Sequence, residues 1–240
     1  MRSPYGLDIV DCCSSCKVRT PSFFCSFGTV AIQHFGQIKF ASAFPSGAVL
    51  FVEEQAPRGI FVLCQGRVKQ SICSREGKTL ILKIAEPGEA LGLSATISGK
   101  PYGLTAETME PSQIAFVKRD DFLRFLHQHG DACLRAAGQL SRNYNAVCRE
   151  IRSLGLSHSA AEKLARWLLE LVLGSGTPTN EPAQATLPLT HEEIGQAIGA
   201  SRETVTRLFA DLRKRNIVQR EGTMLVIQNR AALEHLVLAA

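Results

Sequence analysis

Two helical patterns separated by a tight break stand out between residues 189 and 215, which read LTHEEIGQAIGASRETVTRLFADLRKR. In the first, Ile194, Ala197 and Ile198 form an inner apolar stripe, and Thr190 with Glu193 has the spacing of a capping box. Gly199-Ala200-Ser201 breaks the pattern, and Ser201 is placed to cap the second helix. Val205, Leu208, Phe209 and Leu212 then recur at i, i+3, i+4 and i+7, which marks one buried face. The opposite face carries Glu203, Thr206, Arg207 and Lys214, with Arg202 in the first turn. Two helices joined this way form a helix-turn-helix, whose second helix enters the major groove of double-stranded DNA by its N-terminus. Arginine donates two hydrogen bonds to guanine, and glutamate accepts one from cytosine. Arg202, Glu203 and Arg207 supply these groups, Thr206 can meet a thymine methyl or a phosphate, and Ser201 completes the candidate DNA-binding set. A solvated face on an ordinary amphipathic helix would carry similar charges, but caps, break, stripe and base-reading groups here fall in one register.

The rest of the chain supplies a frame for this element. Between about residues 30 and 118 the pattern is of short β segments, Ala48–Val52, Gly59–Leu63, Arg67–Cys73, Thr79–Ile84 and Ile114–Val117, separated by turn signals such as Pro45-Ser46-Gly47 and Glu76-Gly77. This spacing predicts a small all-β barrel or roll. Helical patterns begin at Arg119: a short helix over Asp120–Gln128, then a longer one from Asp131 to about Leu154. Cys133, Leu140, Val147 and Leu154 recur by sevens, with Ala137, Tyr144 and Ile151 four residues after the first three. That is a coiled-coil seam of about three heptads. It predicts a homodimer with Leu140, Tyr144, Val147 and Ile151 at the interface; a helix packed only on its own roll is the alternative. Ser159 with Glu162 opens a further helix over Ala160–Leu173, the stretch Gly174–Pro188 reads as a loop, and Ile217–Ile227 reads as a hairpin around Glu221-Gly222. The domain organisation is thus an arm over residues 1–28, a β-roll over 29–118, a dimerisation helix region over 119–156 and a winged helix-turn-helix over 157–240. The fold class is α+β.

Charge supports DNA binding only locally. The 240-residue chain has a formal net charge of +5, and residues 157–240 carry nine Lys and Arg against nine Asp and Glu. Between Ser201 and Arg220, however, six basic residues face two acidic ones, so positive charge is concentrated on the element that would meet phosphate. No run approaches the roughly 18 apolar residues of a membrane span, and the N-terminus lacks a signal-peptide core. A cytoplasmic protein without membrane contact is expected, where structural disulfides are uncommon. There is no phosphate-binding glycine loop, nucleophile elbow or HExxH, so no enzyme class is indicated.

A β-roll, a long helix with a heptad seam and a C-terminal winged helix-turn-helix together resemble the CRP/FNR family of bacterial transcription regulators, over nearly the whole chain. The closest likeness is in IGQAIGASRETVTRLF, and PGEALGLSATISGKPY resembles the family's ligand-pocket segment in its cyclic-nucleotide-binding-like jelly roll. The resemblance implies that Arg202, Glu203 and Arg207 read bases, in a half-site like TGTGA or a TTGA variant, and that RNA polymerase is a further partner. It also bears on the effector. In nucleotide-binding relatives a Glu follows the second Gly of the pocket segment and an Arg-Ser or Arg-Thr pair comes shortly after. Here Leu93 follows Gly92, and no arginine lies between Arg75 and Arg119, which argues against a cyclic nucleotide.

The eight cysteines offer another input. The spacing Cys13-x2-Cys16-x8-Cys25 resembles the N-terminal cluster with which FNR-type oxygen sensors hold a [4Fe–4S] cluster, and Cys12 could replace Cys13. In such sensors the fourth ligand lies in the last roll segment, where this chain has Ser112, so Cys64 or Cys73 is the candidate substitute. Zinc, a thiol–disulfide switch and a set of unliganded thiols remain as alternatives. Cys133 and Cys148 lie along the long helix and read as small apolar residues.

Overall fold

A computed structural model of the chain describes residues 4–7, 9, 12–16, 26–156, 159–174 and 183–238. The chain divides into two compact units, Met1–Ala146 and Val147–Ala240, and the division falls inside one helix. Among the described residues no helix is long and apolar enough to cross a membrane.

The first unit is built on two four-stranded antiparallel sheets. One contains β1 (Lys39–Phe44), β8 (Ser112–Lys118), β3 (Gly59–Gln65) and β6 (Ala90–Leu91), in that order. The other contains β2 (Val49–Phe51), β7 (Thr105–Thr108), β4 (Val68–Cys73) and β5 (Thr79–Ala85). In β3 and β8 successive side chains turn to opposite faces, as the two-residue strand period requires. Ile60, Val62, Ala115 and Val117 face the covering helices, while Leu63 and Ile114 belong to the core that also holds Phe51, Val68 and Tyr102. Burial on both faces explains why GIFVLC is a continuous apolar run instead of an alternating one.

The helices α1 (Thr29–Ile38), α3 (Arg119–Gln128) and the start of α4 (Gly130–Leu156) share the outer cluster with β3 and β8. A short helix, α2 (Leu93–Ser98), follows β6 and buries Leu93, Ala95 and Thr96. The sequence pattern predicts only β segments from residue 30 to the start of α3, so α1 is a correction. Its Ala31, Ile32 and Phe35 form a one-sided stripe that is short enough to pass for a strand, and contact with Phe122 and Phe125 of α3 settles the matter. Phe27, Phe35 and Phe125 meet edge-on or tilted, at 5.4–6.0 Å between ring centres. Strands β1, β6 and β7 and helix α2 are likewise not signalled by the pattern; they are short or lack a distinct period.

The helix α4 meets the roll with small residues. Ala132 and Ala136 are buried against it, and Leu140 packs partly there. Gln139, only 2% exposed, lies in the same face and grips β6 twice. Its Nε2 donates to the Ala90 carbonyl at 2.7 Å and its Oε1 accepts from the Ala90 amide at 3.3 Å. One turn on, Asn143 Oδ1 accepts from Lys83 Nζ at 3.2 Å, and the same ammonium pairs with Glu89 at 2.5 Å.

The second unit holds α5 (Ala160–Gly174), β9 (Ala183–Thr186), α6 (His191–Ile198), α7 (Arg202–Lys214), β10 (Val218–Glu221), β11 (Met224–Ile227) and α8 (Arg230–Leu238). The amide of Glu162 donates to Ser159 Oγ at 3.1 Å, capping α5. The hairpin is the expected one, β10 with β11, but it is part of a three-stranded sheet in the order β10-β11-β9. The third strand lies within the stretch that reads as a loop. Ala-Gln-Ala-Thr has no pattern of its own and becomes a strand because the outer edge of β11 offers it a ladder.

Gln139→Ala should cost the protein about 2–3 kcal/mol, since both the amide and the carbonyl of Ala90 lose their side-chain partner in a buried place. A lowered urea midpoint checks this; an unchanged midpoint would show that water replaces the lost amide at no cost.

Candidate nucleic-acid interface

The geometry of α6, its turn and α7 rests on three local devices. The first is the capping box. Thr190 Oγ1 accepts from the Glu193 amide at 3.2 Å, and Glu193 Oε2 accepts from the Thr190 amide at 2.8 Å. The second is the break. Gly199 sits in the left-handed region at φ 66°, and Gly195 lets the turn close down: a Cβ there would lie 2.7 Å from the Ala200 carbonyl oxygen. The third is the second cap, where Ser201 Oγ accepts from the Thr204 amide at 3.2 Å. Ile194, Ala197 and Ile198 of α6 and Val205, Phe209 and Leu212 of α7 are buried between the two helices and their neighbours.

With that face buried, Glu203, Thr206 and Arg207 lie exposed on the remaining surface of α7, Arg202 is exposed in its first turn, and Ser201 is exposed at its start. The backbone amide of Glu203 and then the Ser201 hydroxyl keep the Glu203 carboxyl below the usual range. Such a carboxylate is a pure acceptor, the property needed to receive a base amine. Arg213, Lys214 and Arg215 extend the exposed basic surface at the C-terminal end, where Arg215 pairs with Asp211 at 3.4 Å.

Two residues differ from their sequence-based roles. The Thr206 hydroxyl is committed, because it donates to the Arg202 carbonyl at 3.0 Å and meets His191 Nδ1 at 2.9 Å. Its methyl group is what remains for a base. Arg220, by sequence one of the phosphate-facing cations, is tied inward. It donates to the carbonyls of Leu189 at 2.7 Å, Gly222 at 3.1 Å and Leu187 at 3.4 Å, fastening the hairpin to the chain that enters α6. That chain is also tied to the hairpin turn, where the Leu187 amide donates to the Thr223 carbonyl at 2.6 Å.

The residue that sequence reasoning misses is His191. Its ring lies flat on Phe209, with centres 5.1 Å apart and planes 4° from parallel. Burial first, then the charges of Arg220 and Arg202, pushes its pKa down. His191, Thr206, Phe209, Ala210, Arg213 and Arg220 border an open cleft of about 390 Å³ between α7 and the hairpin. Its only sequence signal is position, directly after a cap residue and fifteen before Thr206.

The cysteines are only partly drawn together. Cys13 opens a single 3-10 turn, Cys13–Ser15, whose end is marked by the Cys16 amide donating to the Cys13 carbonyl at 3.5 Å. Cys13 packs on the outer cluster of the first unit, and so does Cys64 of β3. Cys12 is exposed, and Cys25 lies outside the described residues. Cys73 is exposed at the end of β4, on the other sheet, beside Thr79 and Glu53. Among the described residues no three Cys, His, Asp or Glu side chains stand close enough to hold a metal ion. On α4, Cys133, Tyr144, Val147 and Ile151 are exposed and Cys148 is half-buried, while Leu140 leans on the roll of its own chain.

Comparison with known proteins places this architecture. A family profile described as a cyclic nucleotide-binding domain matches residues 42–129, and one described as a Crp-like helix-turn-helix domain matches residues 162–236. The "CRP-like cAMP-activated global transcriptional regulator" of Mycobacterium tuberculosis is 25% identical over 186 residues, covering 78% of this chain and 83% of that protein. The "cAMP-activated global transcriptional regulator CRP" of Salmonella typhimurium is 24% identical over 185 residues, covering 77% and 87%. Among solved structures, FixK2 from Bradyrhizobium japonicum superposes with a TM-score of 0.72 at 22% identity, covering 85% of this chain and 99% of its own. A CooA mutant from Carboxydothermus hydrogenoformans gives 0.73 at 20% identity, covering 88% and 91%. These structures share the fold.

Because the His191 pKa is lowered, its neutral form stabilises the folded unit above the ordinary histidine range. That contribution is lost as pH falls through the lowered value. An NMR titration of the His191 ring should give a midpoint below that of a free histidine, and His191→Gln should remove part of the stability loss between about pH 7 and 5. A normal midpoint would contradict the stacked, neutral ring.

Proposed function

Because the chain belongs to the CRP/FNR family of DNA-binding transcription regulators, we propose that it acts as a homodimer on a palindromic operator, and that the thiols of its N-terminal arm make this binding redox- or oxygen-responsive. The family consists of regulators, and no enzyme chemistry enters the proposal. One observation carries the DNA-reading part. Arg202, Glu203 and Arg207 are exposed on the N-terminal half of α7, Glu203 and Arg207 opposite its buried stripe and Arg202 in the first turn, with the Glu203 carboxyl held below its usual range. The Thr206 methyl and the Ser201 cap complete the set. In a dimer the two recognition helices stand about 34 Å apart and read a two-fold site.

The dimer reading rests on α4. Tyr144 is 70% exposed, Ile151 64% and Val147 41%, an apolar line that a second copy of the same helix would cover. Leu140 contributes from the half-buried side. RNA polymerase is the further partner in this reading, and its place of action is the cytoplasm.

The redox reading rests on the arm. Cys13 and Cys64 pack on one apolar cluster, so a change at the arm thiols acts directly on the helices that cover the roll. Cys13, Cys16, Cys25 and Cys64 are the set that would hold a [4Fe–4S] cluster, and such a cluster, when bound, supplies an oxygen-labile link between arm and roll. The response reaches DNA through α4, which both units share. A cyclic nucleotide is not the input in this reading. Leu93 is buried in the roll, and Lys83 is engaged by Glu89 and Asn143.

Three outcomes are expected. Arg207→Ala should weaken binding to the operator by roughly tenfold to a hundredfold, the loss of one bidentate base contact, and relax selectivity at one base pair. Fluorescence anisotropy against a panel of half-site variants reads this, and undiminished affinity would refute base reading by α7. Ile151→Glu should convert the dimer to a monomer in sedimentation experiments, and a persistent dimer would place the interface elsewhere. Protein purified without oxygen should contain iron and sulfide, and air should remove both together with operator protection. Iron-free protein whose DNA binding still responds to a thiol oxidant would leave a thiol switch as the device, and indifference to air and oxidant would remove the arm from the mechanism.

A further inference from the structure

We propose that the β-roll binds a small, planar aromatic carboxylate in a cavity between its two sheets, where Arg58 and Gln55 face a box of aromatic rings. The cavity has a volume of about 260 Å³. Phe51 stacks on Tyr102 with ring centres 4.0 Å apart and planes at 21°. Phe61 is tilted 5.4 Å from Phe51 and 4.9 Å from Phe116. The rings of Phe61 and Phe116 are only half-buried, so the box is open at that end. A pocket of this size is below the range that holds a drug-sized ligand or a nucleotide, and it suits a single ring with one substituent. Ring faces and edges set at such angles favour a further aromatic ring by stacking or edge contact.

The polar groups choose the substituent. The Tyr102 hydroxyl is already spent, donating to the Gly59 carbonyl at 2.7 Å. Gln55 uses its Oε1 to accept from the Val52 amide at 3.3 Å, which leaves its amide nitrogen as a donor without a partner among the described residues. Arg58 is exposed and forms no ion pair or side-chain hydrogen bond among the described residues. Its charge stands near enough to the Tyr102 phenol to act on it electrostatically. No carboxylate lines the cavity among the described residues. The site therefore offers donors and one cation, and no carboxylate among the described residues. A guanidinium fork receives a carboxylate through two parallel hydrogen bonds. A neutral ring would leave the fork unused, and a short aliphatic acid would leave the rings uncovered. Of the segment Pro87–Tyr102, only Tyr102 borders this cavity, so the site is separate from the stretch that resembles the family's ligand pocket.

The test is independent of operator binding and of the arm thiols, because it uses the full chain without DNA. Benzoate, benzamide and acetate are titrated by calorimetry. Benzoate should saturate one site per chain with a dissociation constant on the order of 0.1–1 mM, a reasonable value for a nine-heavy-atom ligand, and the other two should bind at least about tenfold more weakly. Arg58→Gln, a change at an exposed side chain, should weaken benzoate by roughly tenfold or more and leave benzamide unchanged. Nuclear Overhauser contacts should join the benzoate ring to Phe61 and Phe116. Absence of saturation by about 10 mM, equal binding of benzamide, full affinity in Arg58→Gln or contacts to other residues would each overturn the assignment.

Discussion

The double hydrogen bond between the Gln139 side chain and the backbone of Ala90 fixes how the first unit meets its longest helix. An amide side chain that is almost fully buried must have both its donor and its acceptor satisfied, and Ala90 supplies both from one residue. This match tolerates neither a one-turn slide of α4 nor a rotation about its axis, since either would leave several polar groups unpaired in an apolar surrounding. Apolar contacts with Ala132 and Ala136 allow close approach but are nearly featureless and would permit such slips. The register of α4 is thus set by polarity and its proximity by small side chains. Tyr144, Val147 and Ile151 follow further along the same helix and are exposed.

The recognition helix shows the same economy in its electrostatics. Its N-terminal turn has an ionised Glu203 next to Arg202, and the imidazole of His191 is kept neutral by burial and by two nearby guanidinium groups. The Thr206 hydroxyl joins the Arg202 carbonyl and the His191 ring into one small network that links the first turn of α7 to the first residue of α6.

What the sequence made legible is what local chemistry decides. Thr190, Glu193, Gly199 and Ser201 each act within a few residues of their own position, and the stripe of Val205, Phe209 and Leu212 has a period no strand can match. The helix-turn-helix is readable residue by residue for that reason. The strands of the roll are legible where turns bound them. Elements decided by distant partners are not. The helix α1 depends on Phe122 and Phe125, far along the chain, and β9 depends on the free edge of β11. Roles fail in the same way. Arg220 looks like a phosphate contact by composition, but three carbonyls in its neighbourhood claim it. The arm cysteines announce their spacing clearly, yet which thiols meet is a matter of packing: Cys64 shares the apolar cluster of Cys13, and Cys73 lies on the opposite sheet.

The position of β9 has a consequence for how the second unit can be divided. Residues 183–186 precede α6, yet they complete the sheet of the hairpin that comes after α7. A fragment beginning at the first helix of the helix-turn-helix would contain all of α6 and α7 and still leave the ladder of β11 unfilled along one side. Bare backbone of that kind recruits any extended strand it meets, including one from another copy. Such a fragment would precipitate or swap segments, for reasons unconnected with its affinity for a promoter.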